Sequence, residues 1–109
     1  MLHEPAFAFH LAHDRAYAVV RAAGELDIAS VGRMRDSVHR ASERSARVVV
    51  DLRGVTFMDT FALRALIELQ DDAEQWSLHV VPGTAIQRLL DLAGGREALR
   101  WIAPEQLAA

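Results

Sequence analysis

The sequence predicts one α/β domain, with a mixed sheet of four to five strands and its helices mostly on one face. Three observations predict it. The run Val48-Val49-Val50-Asp51-Leu52 is branched and barely alternates, as in a central strand covered on both faces. A helical stripe precedes this run and another follows it, which is the βαβ pattern of a parallel pair. Two apolar runs near the N-terminus, split by a polar turn, read as an antiparallel hairpin. A chain of 109 residues suits a single compact core over its whole length, 1–109.

Residues 6–11, AFAFHL, form the first expected strand, and His13-Asp14-Arg15 the turn after it. Residues 16–22, AYAVVRA, are rich in strand formers and make the second. Gly24-Glu25-Leu26-Asp27 leads to Ser30, a plausible N-cap. Val31, Met34, Val38 and Ala41 then recur at helical spacing, and the helix fades at Ser42-Glu43-Arg44-Ser45.

The stretch from Val48 to Leu52 is the third strand. Arg53-Gly54 reads as a break, with Val55 to Met58 a second short extended piece. After the polar corner Asp59-Thr60, a helix is expected from about Thr60 to Glu74. Leu63, Leu66, Ile67 and Gln70 lie on one side, and Ala62, Ala65, Leu69 and Ala73 widen that face. Residues 77–81, SLHVV, are a strand stopped by Pro82-Gly83. Thr84 and Gln87 have capping-box spacing. The last helix carries Ile86, Leu89, Leu90 and Ala93 and stops at Gly94-Gly95. Residues 99–102, LRWI, fit a final edge strand, and 104–109 one more helical turn.

Composition narrows the chemistry. The chain is 51% hydrophobic and 25% charged, an ordinary soluble balance far from the disordered class. With no cysteine, a disulfide framework, a thiolate metal site and a cysteine nucleophile are all excluded. Net charge is -3, and the basic residues are arginines spread along the chain, so no patch suggests nucleic acid. No apolar run approaches a membrane span. The opening MLHEPAFAFH lacks the charged start and apolar centre of a secretory signal. The expectation is a soluble cytoplasmic protein without membrane insertion.

No catalytic, metal or cofactor site emerges. His3, His10, His13, His39 and His79 fall at five separate places, with no His-x-x-x-His and no acidic cluster to join them. Ser30, Ser37, Ser42, Ser45 and Ser77 have no G-x-S-x-G setting. Neither a Walker loop nor G-x-G-x-x-G occurs. Asp71-Asp72 reads as a solvated helix face.

Asp59-Thr60 is different. Either residue is a strong N-cap, worth about 1 kcal/mol to the helix, and local physics ranks that role first. Two points add a second role. A hydroxyl at a helix start, just after a strand, stands at the carboxyl edge of the sheet, where a partner can reach it. The same place favours added negative charge, because free amides and the helix dipole accommodate phosphate. A phosphoryl group brings about -1.5 to -2 charge, and Asp59 beside it adds repulsion. Such a corner can switch binding without refolding the domain.

At this corner the sequence resembles the STAS domain of bacterial anti-sigma factor antagonists. That family's pattern is an apolar strand, Asp-Leu, a small turn, then Asp-Ser with a Gly shortly after. Here it falls on Val48-Val49-Val50-Asp51-Leu52, Gly54, Phe57-Met58-Asp59 and Thr60. Gly24-Glu25-Leu26-Asp27 matches the second marker, G-E-L-D, between the second strand and the first helix. The helix from Ile86 to Gly94 is similar to the one before the family's last strand, so the resemblance runs from about Phe7 to Ile102.

The resemblance implies a switch with no catalysis of its own. It implies binding to an anti-sigma factor that is a serine/threonine kinase, which frees the sigma factor. It further implies ATP-dependent phosphorylation that ends the binding, a phosphatase that reverses it, and a monomer or weak dimer. By position Thr60 is the phosphoacceptor, and Gly24, Glu25, Leu26, Asp27, Asp59, Thr60 and Phe61 face the partner. Two positions depart from the family: Thr60 replaces the usual Ser, and Ala62 the usual Gly. Phe61 sets a bulky ring beside the acceptor, as a contact anchor or a partial shield. Other STAS proteins supply alternatives: a subunit of a lipid-transport ABC system, or a component of a stress-sensing scaffold. A small-ligand or nucleotide binder ranks below these, because no phosphate loop is visible.

Overall fold

The computed structural model describes residues 7–14 and 16–107. Strand β1 (Phe7–Asp14) pairs antiparallel with β2 (Tyr17–Leu26), from Phe7 opposite Gly24 to Asp14 opposite Tyr17. Helix α1 (Val31–Arg44) leads to β3 (Arg47–Met58), α2 (Thr60–Asp72) to β4 (Ser77–Val81), and α3 (Thr84–Ala93) follows. The sheet order is β1-β2-β3-β4, with β2, β3 and β4 parallel. The expected α/β order and hairpin are present. Ala6, Arg15 and Ala108-Ala109, which the expected elements included, lie outside the described residues, as does His3.

Alternation along the strands sorts the core into two layers. Val48, Val50 and Leu52 of β3 join Val20, Leu78 and Val80 in the large cluster that also takes Met34 and Val38 of α1, Leu66 of α2 and Ile86 of α3. All three α-helices therefore share one sheet face. Val19, Val49 and Val81 point the other way, where Ile102 and Leu107 of the C-terminal segment cover them. Each of these wholly buried Val or Leu side chains contributes roughly 1.5–3 kcal/mol of transfer free energy. That two-sided burial is why the Val48–Leu52 run does not alternate.

Four expectations are corrected. Arg53-Gly54 is no break, because β3 is one strand of 12 residues. It absorbs the irregularity as two bulges against β2, since Arg21 faces Asp51 but Ala23 faces Gly54, and Gly24 faces Val55 but Glu25 faces Phe57. Thr84 is not a cap; Gly83 is, and no side chain caps α3. A Cβ at Gly83 would sit 2.3 Å from the Leu52 carbonyl oxygen, so the turn into α3 is pressed against β3 too closely for any other residue. Ala93 is exposed, and the buried side of α3 is Ala85, Ile86 and Leu90. Helix α2 stops at Asp72 rather than Glu74.

The fifth strand is also not formed. Residues 99–102 make a single parallel bridge, Val80 with Trp101. The Val80 amide donates to the Arg100 carbonyl at 2.8 Å, and the Ile102 amide to the Val80 carbonyl at 3.0 Å. Gln70 of α2 takes the neighbouring groups: its Nε2 donates to the Ala98 carbonyl at 2.8 Å, and its Oε1 accepts from the Arg100 amide at 2.7 Å. A helix side chain thus stands where a longer ladder would have continued.

Candidate functional site

The site is built at the carboxyl edge of β2 and β3, where β3 hands over to α2. Met58 is buried at the strand end, and Asp59 takes an extended backbone (φ -105°, ψ 176°) before the helix begins. The Asp59 Oδ1 accepts from the Ala62 amide at 3.0 Å, and its carbonyl accepts from the Leu63 amide at 3.2 Å. Asp59 is therefore the N-cap. Thr60 is the first helical residue, exposed, and its hydroxyl has no hydrogen-bond partner among the described residues.

Asp59 also fastens the second marker to the first. Its amide donates to the Leu26 carbonyl at 3.2 Å, and its Oδ2 accepts from the Ile28 amide at 3.2 Å. The two motifs, distant in sequence, meet through the Asp59 backbone, and its carboxylate fixes the residue just past the second marker.

The G-E-L-D segment is not a loop throughout. Gly24, Glu25 and Leu26 continue β2 to its end. Gly24 has φ 94°, the left-handed region that disfavours side chains, at the point where the register with β3 shifts. Glu25 is exposed. Leu26 is wholly buried, so its side chain is core and only its carbonyl reaches the site. This corrects its expected place on the surface: strand alternation turns it inward.

Asp27 shapes the turn into α1. Its Oδ1 accepts from the amides of Ala29 (3.0 Å) and Ser30 (3.2 Å), and its carbonyl accepts from the Val31 amide at 2.9 Å. Ser30 occupies the N-cap position but does not cap α1 with its side chain. Its Oγ turns back instead, accepting from the Asp27 amide at 3.0 Å and donating to the Glu25 carbonyl at 3.1 Å.

Around this frame stand the large hydrophobic side chains that remain exposed among the described residues: Ile28 (61%), Phe57 (51%), Phe61 (53%) and Leu92 (90%). Ile28 is tied to Asp59 by its amide, and Phe61 adjoins Thr60. Phe57 and Leu92 line a groove of about 440 Å³ with Thr60, Met58, Leu89 and Arg88. This groove runs between the end of β3, the start of α2 and the outer side of α3. Of the expected site residues, Asp59 and Thr60 line this groove, Phe61 follows them on α2 without lining it, and Glu25 and Asp27 lie at the end of β2 beside β3.

Ile28, Phe57, Arg88 and Leu92 were not singled out from sequence. Leu92 carried a signal, since it falls outside the stripe Ile86-Leu89-Leu90-Ala93. Phe57 carried none: alternation from buried Val55 would place it on the core side, and the register shift opposite Glu25 leaves it exposed. Nothing in the sequence marked Arg88.

Asp51 of the family pattern lies apart, on the helix-free face, and is structural. Its carboxylate accepts from Arg53 Nε at 3.0 Å, Nη2 at 2.7 Å and the Arg53 amide at 3.1 Å. Burial pushes the Asp51 pKa up, but the Arg53 hydrogen bonds and the charges of Arg53 and Arg21 outweigh it and leave the pKa below the ordinary value. Among the described residues, no three His, Asp or Glu side chains converge as a metal site, and no helix is long and apolar enough to cross a membrane.

A family profile described as STAS domain matches residues 10–102. No curated protein matches the sequence. Among solved structures, an anti-sigma factor antagonist from Mycobacterium paratuberculosis superposes with a TM-score of 0.77 at 20% identity, covering 94% of this chain and 91% of that one. The phosphorylated form of the Bacillus cell fate determinant SpoIIAA superposes at 0.63 with 19% identity, covering 91% and 95%. The murine anion transporter Slc26a9 matches at 0.62 with 19% identity over 81% of this chain and 16% of its own. At these identities the likeness is one of fold.

Proposed function

The chain belongs to the STAS domain family, and from that premise we propose that it is an anti-sigma factor antagonist working by partner switching. In its unmodified form it binds an anti-sigma factor with serine/threonine kinase activity and so releases a sigma factor. Phosphorylation of Thr60 by that kinase ends the binding, and a phosphatase restores it. The chain acts as a binding protein in the bacterial cytoplasm and performs no chemistry itself.

One observation carries this reading. The exposed Phe57 and Leu92 line the groove that holds the exposed Thr60 at its helix start, while Phe61 follows Thr60 in the chain and Ile28 is tied to Asp59 by its amide. Apolar side chains concentrated on one patch favour a protein partner, with aromatic residues the usual anchors. A hydroxyl in that groove gives a kinase its acceptor, and the helix start tolerates the charge. Phe61 therefore serves as an anchor beside the acceptor. The Thr60 hydroxyl stays accessible with Phe61 next to it, which supports modification of a threonine at this position.

The test is incubation with the cognate kinase and ATP, followed by intact mass and site mapping. One phosphate on Thr60, absent in T60A, together with loss of kinase binding on phosphorylation, is the expected result. A chain that stays unmodified, with T60E binding the kinase as well as the unaltered chain does, overturns the reading.

A further inference from the structure

Two arginines beside Thr60 have no acidic partner among the described residues. Five other arginines are engaged: Arg35 with Glu68, Arg53 and Arg21 with Asp51, Arg96 with Asp91 and Arg47 over the Tyr17 ring. Arg33, Arg40 and Arg44 on α1 and Arg100 after α3 are also exposed without an ion pair among the described residues, but none of them lines the groove that holds Thr60. Arg64 and Arg88 are exposed and take part in none of these pairs. Arg64 lies one turn along α2 from Thr60, at the i,i+4 spacing that brings helix side chains to neighbouring positions. Arg88 comes from α3 and lines the same groove as Thr60.

We propose that Arg64 and Arg88 clamp the phosphoryl group of phosphorylated Thr60 across the mouth of this groove. The inference rests on Thr60 being the site of modification. Guanidinium forks match phosphate oxygens in shape and charge and form the stronger class of hydrogen bond. Asp59 lines the same groove, so its charge opposes the phosphate and the two arginines must outweigh it. A phosphate held there lies over the apolar floor formed by Phe57, Met58, Ala85 and Leu89. Phosphorylation then removes the docking surface in two ways: it adds charge at the corner, and it draws α2 and α3 together over the groove. A glutamate at position 60, shorter and singly charged, closes the groove less well than phosphothreonine.

The experiment uses the full chain with phosphothreonine genetically encoded at position 60, which separates the clamp from any kinase. The phosphate is titrated by phosphorus NMR in the unaltered background and in R64Q, R88Q and R88K. Neighbouring cations lower the second phosphate pKa, so R64Q and R88Q should each raise it by roughly 0.3–0.5 units, R88K by less. These differences should shrink in 1 M salt, where screening acts over about 3 Å. An unchanged pKa in R88Q overturns the proposal, whatever R64Q does. Failure of the kinase to modify Thr60 in the unaltered chain is a separate result, and it counts against the modification itself.

Discussion

The Asp59 carboxylate accepts a hydrogen bond from the Ile28 amide at 3.2 Å across 31 residues of sequence. Its second oxygen caps α2 through Ala62 at 3.0 Å. One side chain thus sets the start of the helix that presents Thr60 and also holds the turn that presents Ile28.

Asp59→Ala removes both acceptors and should cost about 1–2 kcal/mol in urea unfolding. Asp59→Asn keeps one carbonyl oxygen and should cost less than half as much. Thr60→Ala should stay within about 0.5 kcal/mol, because its exposed hydroxyl bonds nothing among the described residues. Equal losses for Asp59→Ala and Thr60→Ala would show that the carboxylate joins nothing.

Two glycine substitutions should have opposite signs. Gly83→Ala forces a Cβ to within 2.3 Å of the Leu52 carbonyl oxygen and should destabilise by about 1–3 kcal/mol. Gly32→Ala, in α1 with nothing within 4 Å of the new Cβ, should stabilise by about 0.5 kcal/mol through the unfolded chain. Thermal melts of the two variants read this directly. A neutral Gly83→Ala would mean that the turn into α3 is looser than the close approach requires.

His79 should make stability depend on pH. Burial first, then the positive charges of Arg100 and Arg47, lower its pKa below 6.5, and its buried Nδ1 has no hydrogen-bond partner among the described residues. Below pH 6.5 the unfolded chain binds a proton that the folded chain refuses, so stability falls as pH drops from there toward the folded-state pKa. Above 6.5 both states are neutral at this site and the effect is absent. His79→Gln should flatten the melting temperature between pH 7.5 and 5.5; an unaltered slope would assign the dependence to other groups.

The apolar patch should matter for binding and little for folding. Phe61→Ala and Leu92→Ala are expected to change stability by no more than about 0.5 kcal/mol. Each should weaken the kinase partner at least about tenfold, the loss of an interface anchor. Calorimetric titration gives both the affinity and the stoichiometry. Unchanged affinity in both variants would move the interface away from this groove.

Much of the fold was legible because the strands and helices here carry their own periodicity. Val48–Leu52 announced two-sided burial, and Met34, Val38 and Ala41 announced one helix face. The misreadings share a cause. Arg53-Gly54 looks like a turn in isolation, but pairing with β2 turns it into a bulge. Thr84 looks like a cap, yet Gly83 is the cap and lies pressed on Leu52; Ser30 does stand at the N-cap of α1, but its hydroxyl turns back to Glu25 instead of capping. Leu26 sits within a marker motif, and alternation along β2 still buries it.

The sequence alone determined the order of elements, the apolar stripes, and the corner at Asp59-Thr60, because these depend on spacing and on the hydrogen-bonding habits of single residues. Only the tertiary structure decided that Asp59 joins that corner to the Gly24–Asp27 segment. It also decided that Phe57, Arg88 and Leu92 share one groove with Thr60. Those are relations between residues on different elements, set by the parallel pairing of β2 with β3 and by the close seating of α3 on β3, and no local pattern encodes them.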